Sequence, residues 1–152
     1  MRYFEDVDVG STAAFGTYEV TKAEIIEFAE KYDPQPFHTD EAAAADSVFG
    51  GLVASGWHTM AMCMRMLTEH PDPLAALAGV GADNIRWRRP VRPGDTLHLR
   101  TEILDKRPAP NRDDGGYVTT GFECVNQNDE TVATYEATAL VERRSESESE
   151  SE

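Results

Sequence analysis

The stretch GWHTMAMCMRMLTEH, residues 56–70, constrains the fold more than any other part of the chain. Ser55 stands ready to cap its first backbone N–H groups, and Pro71 ends it, because the residue before a proline is pushed out of the helical region. Trp57, Met60, Ala61, Met64 and Leu67 fall on one face at helical spacing. Met62, Cys63 and Met66 make the remainder largely apolar, and only Arg65 and Glu69 are charged. A helix that is apolar nearly all round has no face to give to water and must be enclosed. The methionines read as core packing, since flexible thioethers fill irregular gaps.

The chain downstream supplies the enclosure. From Ala82 onward the pattern changes to period two. DNIRWRRPV is one strand, and TLHLRTEIL alternates Leu97, Leu99, Thr101 and Ile103. YVTTGFECV puts Val118, Thr120, Phe122 and Cys124 on one face; TVATYEATALV does the same with Ala133, Tyr135, Ala137, Ala139 and Val141. RPGD at 92–95 and NQND at 126–129 are turns. Upstream, TKAE at 21–24 is a capping box, followed by Ile25, Phe28, Ala29 and Tyr32 on one helical stripe, until Pro34 stops the helix. Thr39 is expected to cap a second short helix, DEAAAADS. Helices first and antiparallel strands afterwards make an α+β fold, with a sheet wrapped around a central buried helix. With 152 residues and no internal repeat, one domain over 1–144 is expected, followed by an acidic Ser/Glu tail, 145–152, too polar to fold.

The net charge is −14, from 14 basic and 28 acidic side chains. Four of those acids are tail glutamates, which leaves −10 on residues 1–144. Such a surface argues against nucleic acid and anionic membranes as partners. Three lysines against eleven arginines, in an acidic and strongly hydrated surface, suit high salt. No apolar run approaches the roughly 20 residues of a membrane span, and MRYFEDVDVG lacks the layout of a secretory signal. Cys63 and Cys124 sit in apolar surroundings without metal-ligand spacing, which reads as reduced core thiols in a cytoplasmic protein.

The candidate chemistry lies in the loop YDPQPFHTDE. Asp33 and His38 flank two prolines, which stiffen the loop. Such a pair has two readings: a turn-capping acid with a gap-filling imidazole, or two groups that grip one water and exchange protons with it. Asp40 and Glu41 follow closely, but there is no second histidine at ligand spacing, so no metal is expected.

FAEKYDPQPFHTDEAAA, followed by FGGLVASGWHTMAM and NIRWRRPVRPGDTLHLRTEI, resembles the MaoC-like dehydratases, the (R)-specific enoyl-CoA hydratases of the hot-dog fold, over about residues 5–142. That family's motif is Asp, any residue, Asn, Pro, aliphatic, His; here it stands as Asp33, Pro34, Gln35, Pro36, Phe37, His38. The resemblance implies a single hot-dog domain whose curved antiparallel sheet wraps the central helix. It implies a homodimer or higher homo-oligomer, and an acyl-CoA tunnel near the subunit boundary. It implies that Asp33 acts as base, that His38 orients the water, and that the Gly56 N–H meets the thioester oxygen. Coenzyme A is then part of the substrate, and no separate cofactor is expected. Gln35 and Phe37 depart from the motif, at positions that bear on the loop's hydrogen bonds and the pocket's shape. Ser55 reads as a helix cap and His58 as packing. Arg86, Arg88, Arg89 and Arg92 form a local basic cluster, in which Arg86, Arg88 and Arg89 are candidates for the CoA phosphates and salt bridging is the alternative. Trp87 alternates with Arg86 and Arg88 and is expected to face inward. Two other functions remain open on the same fold: acyl-CoA thioesterase and non-catalytic acyl-thioester binding.

Overall fold

In the computed structural model the chain is described over residues 1–144; the Ser/Glu repeat at 145–152, expected as a tail, lies outside the described residues. In chain order the elements are β1 (Thr12–Glu19), α1 (Lys22–Tyr32), α2 (Pro36–Thr39), α3 (Glu41–Ala45), α4 (Gly56–Leu67), β2 (Ala76–Trp87), β3 (Thr96–Pro108), β4 (Gly115–Val125) and β5 (Thr131–Glu142). The sheet order is β1-β3-β4-β5-β2, and every neighbouring pair is antiparallel. The strands that bracket the helical segment in sequence are therefore the two edges of the sheet. The helices fill the space on its inner face.

Strand alternation builds that inner face. Leu97 and Leu99 of β3, Phe122 and Cys124 of β4, and Ala133 and Tyr135 of β5 are buried in one cluster with Met62, Cys63 and Met66 of α4. The Phe122 and Tyr135 rings stack at 4.7 Å. Each large side chain buried this way contributes about 1.5–3 kcal/mol. Gly16 shows how close the helix comes. It has φ +84°, and a Cβ there would lie 2.8 Å from Cβ of Met66, so β1 can pass α4 only with a glycine at this point.

Four expectations are corrected. First, α4 is enclosed on one side only: Trp57 and Met64, at 57% and 61% exposure, face away from the sheet in the single chain. It also ends at Leu67, where the Thr68 N–H turns back to the Met64 and Arg65 carbonyls. Second, the sheet begins with β1, which the period-two reading misses. Gly16 and a register shift between Phe15 and Tyr18 throw the alternation out of phase. Third, β2 starts at Ala76, ahead of the expected Asp83, through a small and glycine-rich stretch without a period. Fourth, Asp40 caps α3, its Oδ1 accepting from the Ala42 N–H at 2.9 Å, while Thr39 closes the one-turn helix α2.

β2 pairs with β5 alone, so its other edge is open among the described residues, with Leu77, Val80 and Trp87 exposed along it. No helix among the described residues is long and apolar enough to cross a membrane.

Candidate active site

Asp33 is the residue at which α1 must end. Pro34 follows it, and its own N–H donates back to the Ala29 carbonyl at 2.8 Å. Pro36 then occupies the first position of α2, where a missing N–H costs nothing, and two residues later His38 points inward and is buried. The loop is tied to the segment ahead of α4: the Val53 N–H donates to the Phe37 carbonyl at 3.2 Å, and His38 Nδ1 lies 2.7 Å from the Val53 carbonyl. A carbonyl can only accept, so Nδ1 carries the proton. In the neutral ring Nε2 is then a bare lone pair.

That lone pair faces Asp33, with Nε2 3.5 Å from Oδ2. The carboxylate is held from both sides. Gln35 Nε2 donates to Oδ1 at 2.6 Å, and Ser55 Oγ donates to Oδ2 at 2.7 Å. The Gln35 bond, aided by Ser55 and His38 and opposed by partial burial, holds the Asp33 carboxyl below its ordinary range. Two acceptors thus face each other across a short gap, an arrangement suited to one water donating a hydrogen bond to each.

Ser55 joins this pair to α4. Its hydroxyl accepts from the Trp57 N–H at 3.3 Å while donating to Asp33, so the helix cap and the acid's anchor are one group. Gly56 is the first helical residue, where the N–H has no partner within the helix and the macrodipole is positive. A Cβ on Gly56 would meet Trp87 Cε2 at 2.4 Å, and Trp87 Nε1 donates to the Gly56 carbonyl at 3.0 Å. Trp87, expected to face inward, is in fact half exposed at the open β2 edge, yet its ring lies against Gly56 and fixes the glycine.

The structure brings Asp33, His38, Ser55 and Gly56 together but leaves the arginines elsewhere. Arg86 and Arg88 lie on the face of β2 opposite Trp87 and line an outer groove of about 850 Å³ with Arg100, Glu123 and Glu136. Arg88 Nε donates to Thr134 Oγ1 at 3.2 Å, Arg89 pairs with Glu130 at 3.2 Å, and Arg92 donates to the Phe49 carbonyl at 2.7 Å. This groove and three others of about 350–670 Å³ have none of Asp33, His38, Ser55 or Gly56 in their walls. One of the smaller ones is walled in part by Tyr32, the residue before Asp33, and by His58.

Sequence reasoning missed three supports. Gln35, read as a departure from the motif, is a direct partner of Asp33. The Val53 carbonyl has no sequence signal, because every residue carries one. Ser55 was visible only as a cap.

Comparison with known proteins agrees with the fold. The sequence profile described as MaoC like domain matches residues 8–137. The crystal structure of a MaoC-like dehydratase from Rhodospirillum rubrum superposes with a TM-score of 0.88 at 42% identity, covering 95% of this chain and 99% of that one. The uncharacterized protein YdeM of Bacillus subtilis is 30% identical over 91% of this chain and 98% of its own length. A 3-hydroxybutyryl-CoA dehydratase of Methylorubrum extorquens is 32% identical over 72% of this chain and 69% of its own. The sheet wrapped on α4 is thus a hot-dog fold, and with the profile spanning most of its length the chain belongs to the MaoC-like dehydratase family.

Proposed function

We propose that the protein adds water to a trans-2-enoyl-CoA to give (R)-3-hydroxyacyl-CoA, or runs the reverse dehydration. The observation that carries this reading is the opposition of Asp33 Oδ2 and the His38 Nε2 lone pair at 3.5 Å, with the ring locked by Val53. The 3-hydroxybutyryl-CoA dehydratase among its relatives supports the same class of reaction.

A water held by both acceptors has its oxygen lone pairs turned outward, toward C3 of the substrate. As oxygen bonds to C3, the π electrons move through C2 onto the thioester oxygen, and one water proton passes to the Asp33–His38 pair. Asp33 is the acceptor assigned from the motif. Its hydrogen bonds keep it ionised and able to accept. C2 then takes a proton from the pair and the carbonyl re-forms. The charge on the thioester oxygen is met by the Gly56 N–H at the positive end of α4; one such donor lowers a barrier by about 3–4 kcal/mol.

The same proposal includes a homodimer. The exposed side of α4 and the open edge of β2 are surfaces a second copy can cover, and such a partner would supply a wall for an acyl chain bound beside α4. Binding of CoA phosphates by Arg86, Arg88 and Arg89 requires the ligand to pass around the β2 edge. Arg88→Ala with Arg89→Ala then raises KM for acyl-CoA more than for a truncated thioester.

The test is loss of enoyl absorbance on incubation with short trans-2-enoyl-CoA thioesters, with chiral analysis of the product and a free-thiol assay alongside. Hydration lost in Asp33→Asn and in His38→Ala, with the protein still folded and melting cooperatively, supports the assignment. Normal turnover in either variant removes it, and thiol release without hydration makes the protein a thioesterase.

A further inference from the structure

Tyr18, Glu24 and His58 form a partly buried polar cluster that the reaction above does not use. Oε1 of Glu24 accepts from the Tyr18 hydroxyl and from Nε2 of His58, the latter at 3.2 Å. The His58 ring is 3% exposed and lies flat on Phe28, with centroids 4.7 Å apart. Its Nδ1 is buried without a hydrogen-bond partner among the described residues. A bare Nδ1 is tolerable as a lone pair and costly as an N–H, so the neutral tautomer with the proton on Nε2 is the one that fits. Burial holds His58 below its ordinary range, and burial with the bond to Glu24 pushes Tyr18 up to about 12. Glu27 and Lys31 of α1 line the adjacent groove, and the charge of Arg65 on α4 acts on Tyr18 in the opposite, lowering direction.

The cluster matters because of what it joins. Glu24 stands in the first turn of α1, and Asp33 caps its last. Ser55 caps α4, and His58 is its third residue. The two helices are therefore linked twice, Ser55 to Asp33 and His58 to Glu24, with Gly56 between the two α4 anchors. One link is a pivot; two links remove the rotation of the first turn about it.

We propose that Glu24 and His58 are positioning residues for hydration: by fixing the first turn of α4 against α1 and Tyr18, they aim the Gly56 N–H at the thioester oxygen. This rests on the hydratase reading.

The test uses the full-length protein. His58→Phe keeps the stack on Phe28 and removes the Nε2 donor; Glu24→Ala removes the acceptor; Glu24→Gln keeps an oxygen for both donors. His58→Phe and Glu24→Ala are expected to lower kcat about 10–100-fold, the scale of an ångström-level misplacement. KM should stay within about twofold, because ground-state binding is not what the link serves. The carbonyl stretch of a bound saturated acyl-CoA should lose part of the downshift seen in the wild type, and Glu24→Gln should restore both signals. Wild-type kcat and carbonyl band in the first two variants overturn the proposal. So does a loss that appears only in KM, or one that matches the loss of folded protein by circular dichroism. A wild type that turns over no enoyl-CoA overturns the function itself, and this role with it.

Discussion

Ser55→Ala is the sharpest test of how the site is built, because one hydroxyl makes two different contacts. Its bond to Asp33 Oδ2, at 2.7 Å, goes to a charged acceptor and is worth about 1.5–3 kcal/mol. Its cap on the Trp57 N–H is long, at 3.3 Å, and belongs at the lower end of the cap range, about 0.5 kcal/mol. The variant should be about 2–3 kcal/mol less stable at neutral pH, a fall in Tm of about 4–12 °C for a domain of this size. The two parts separate by pH. Asp33 is held below its ordinary carboxyl range, first by Gln35 and then by Ser55 and His38. A depressed acid stabilises the fold above its unfolded pKa, about 3.9, and that contribution is lost as pH falls through the folded value. The gap between wild type and Ser55→Ala should therefore be full at neutral pH and shrink below about pH 4, leaving only the cap's share. Urea titrations across that range measure it. Equal stability at pH 7, or a gap of 2–3 kcal/mol that does not change with acid, refutes the Ser55–Asp33 bond.

Two further outcomes follow from neighbouring contacts. Gln35→Ala removes the donor at 2.6 Å that contributes most to the low Asp33 carboxyl, so the acid limb of kcat/KM, which the proposed reaction assigns to ionised Asp33, should move to higher pH. Gly56→Ala drives a methyl to within 2.4 Å of Trp87 and should cost about 1–3 kcal/mol of overpacking in thermal melts. Adding Trp87→Ala should recover that part of the loss while leaving activity impaired, since the Trp87 bond to the Gly56 carbonyl is gone.

Residues whose partners repeat along the chain were legible in the sequence; those whose partners come from elsewhere were not. The period of Leu97, Leu99, Phe122 and Cys124 announced the inner sheet face, because each neighbour on a strand repeats the same choice between core and water. The apolar surround of α4 announced burial but not by what: the sheet covers Met62 and Met66, while Trp57 and Met64 face a side this chain leaves open. β1 was lost because Gly16 exists for Met66, a residue fifty positions away, and the bulge it makes cancels the alternation that would have shown the strand.

The same division runs through the site. Asp33 and His38 were visible as a pair because the two prolines between them restrict the loop locally, and proline geometry needs no partner. What turns the pair into a possible water clamp is nonlocal: the Val53 carbonyl sets the His38 tautomer, and Ser55 reaches Asp33 across 22 residues. His58 shows the limit most plainly. As one histidine on an apolar helix it was rightly read as packing, since its ring does stack on Phe28. Only with Glu24 beside Nε2 and no hydrogen-bond partner for Nδ1 among the described residues does its protonation state, and with it the proposed role in aiming α4, become a physical statement. A sequence shows which side chains can donate or accept. It takes the fold to show which of them have been left with one choice.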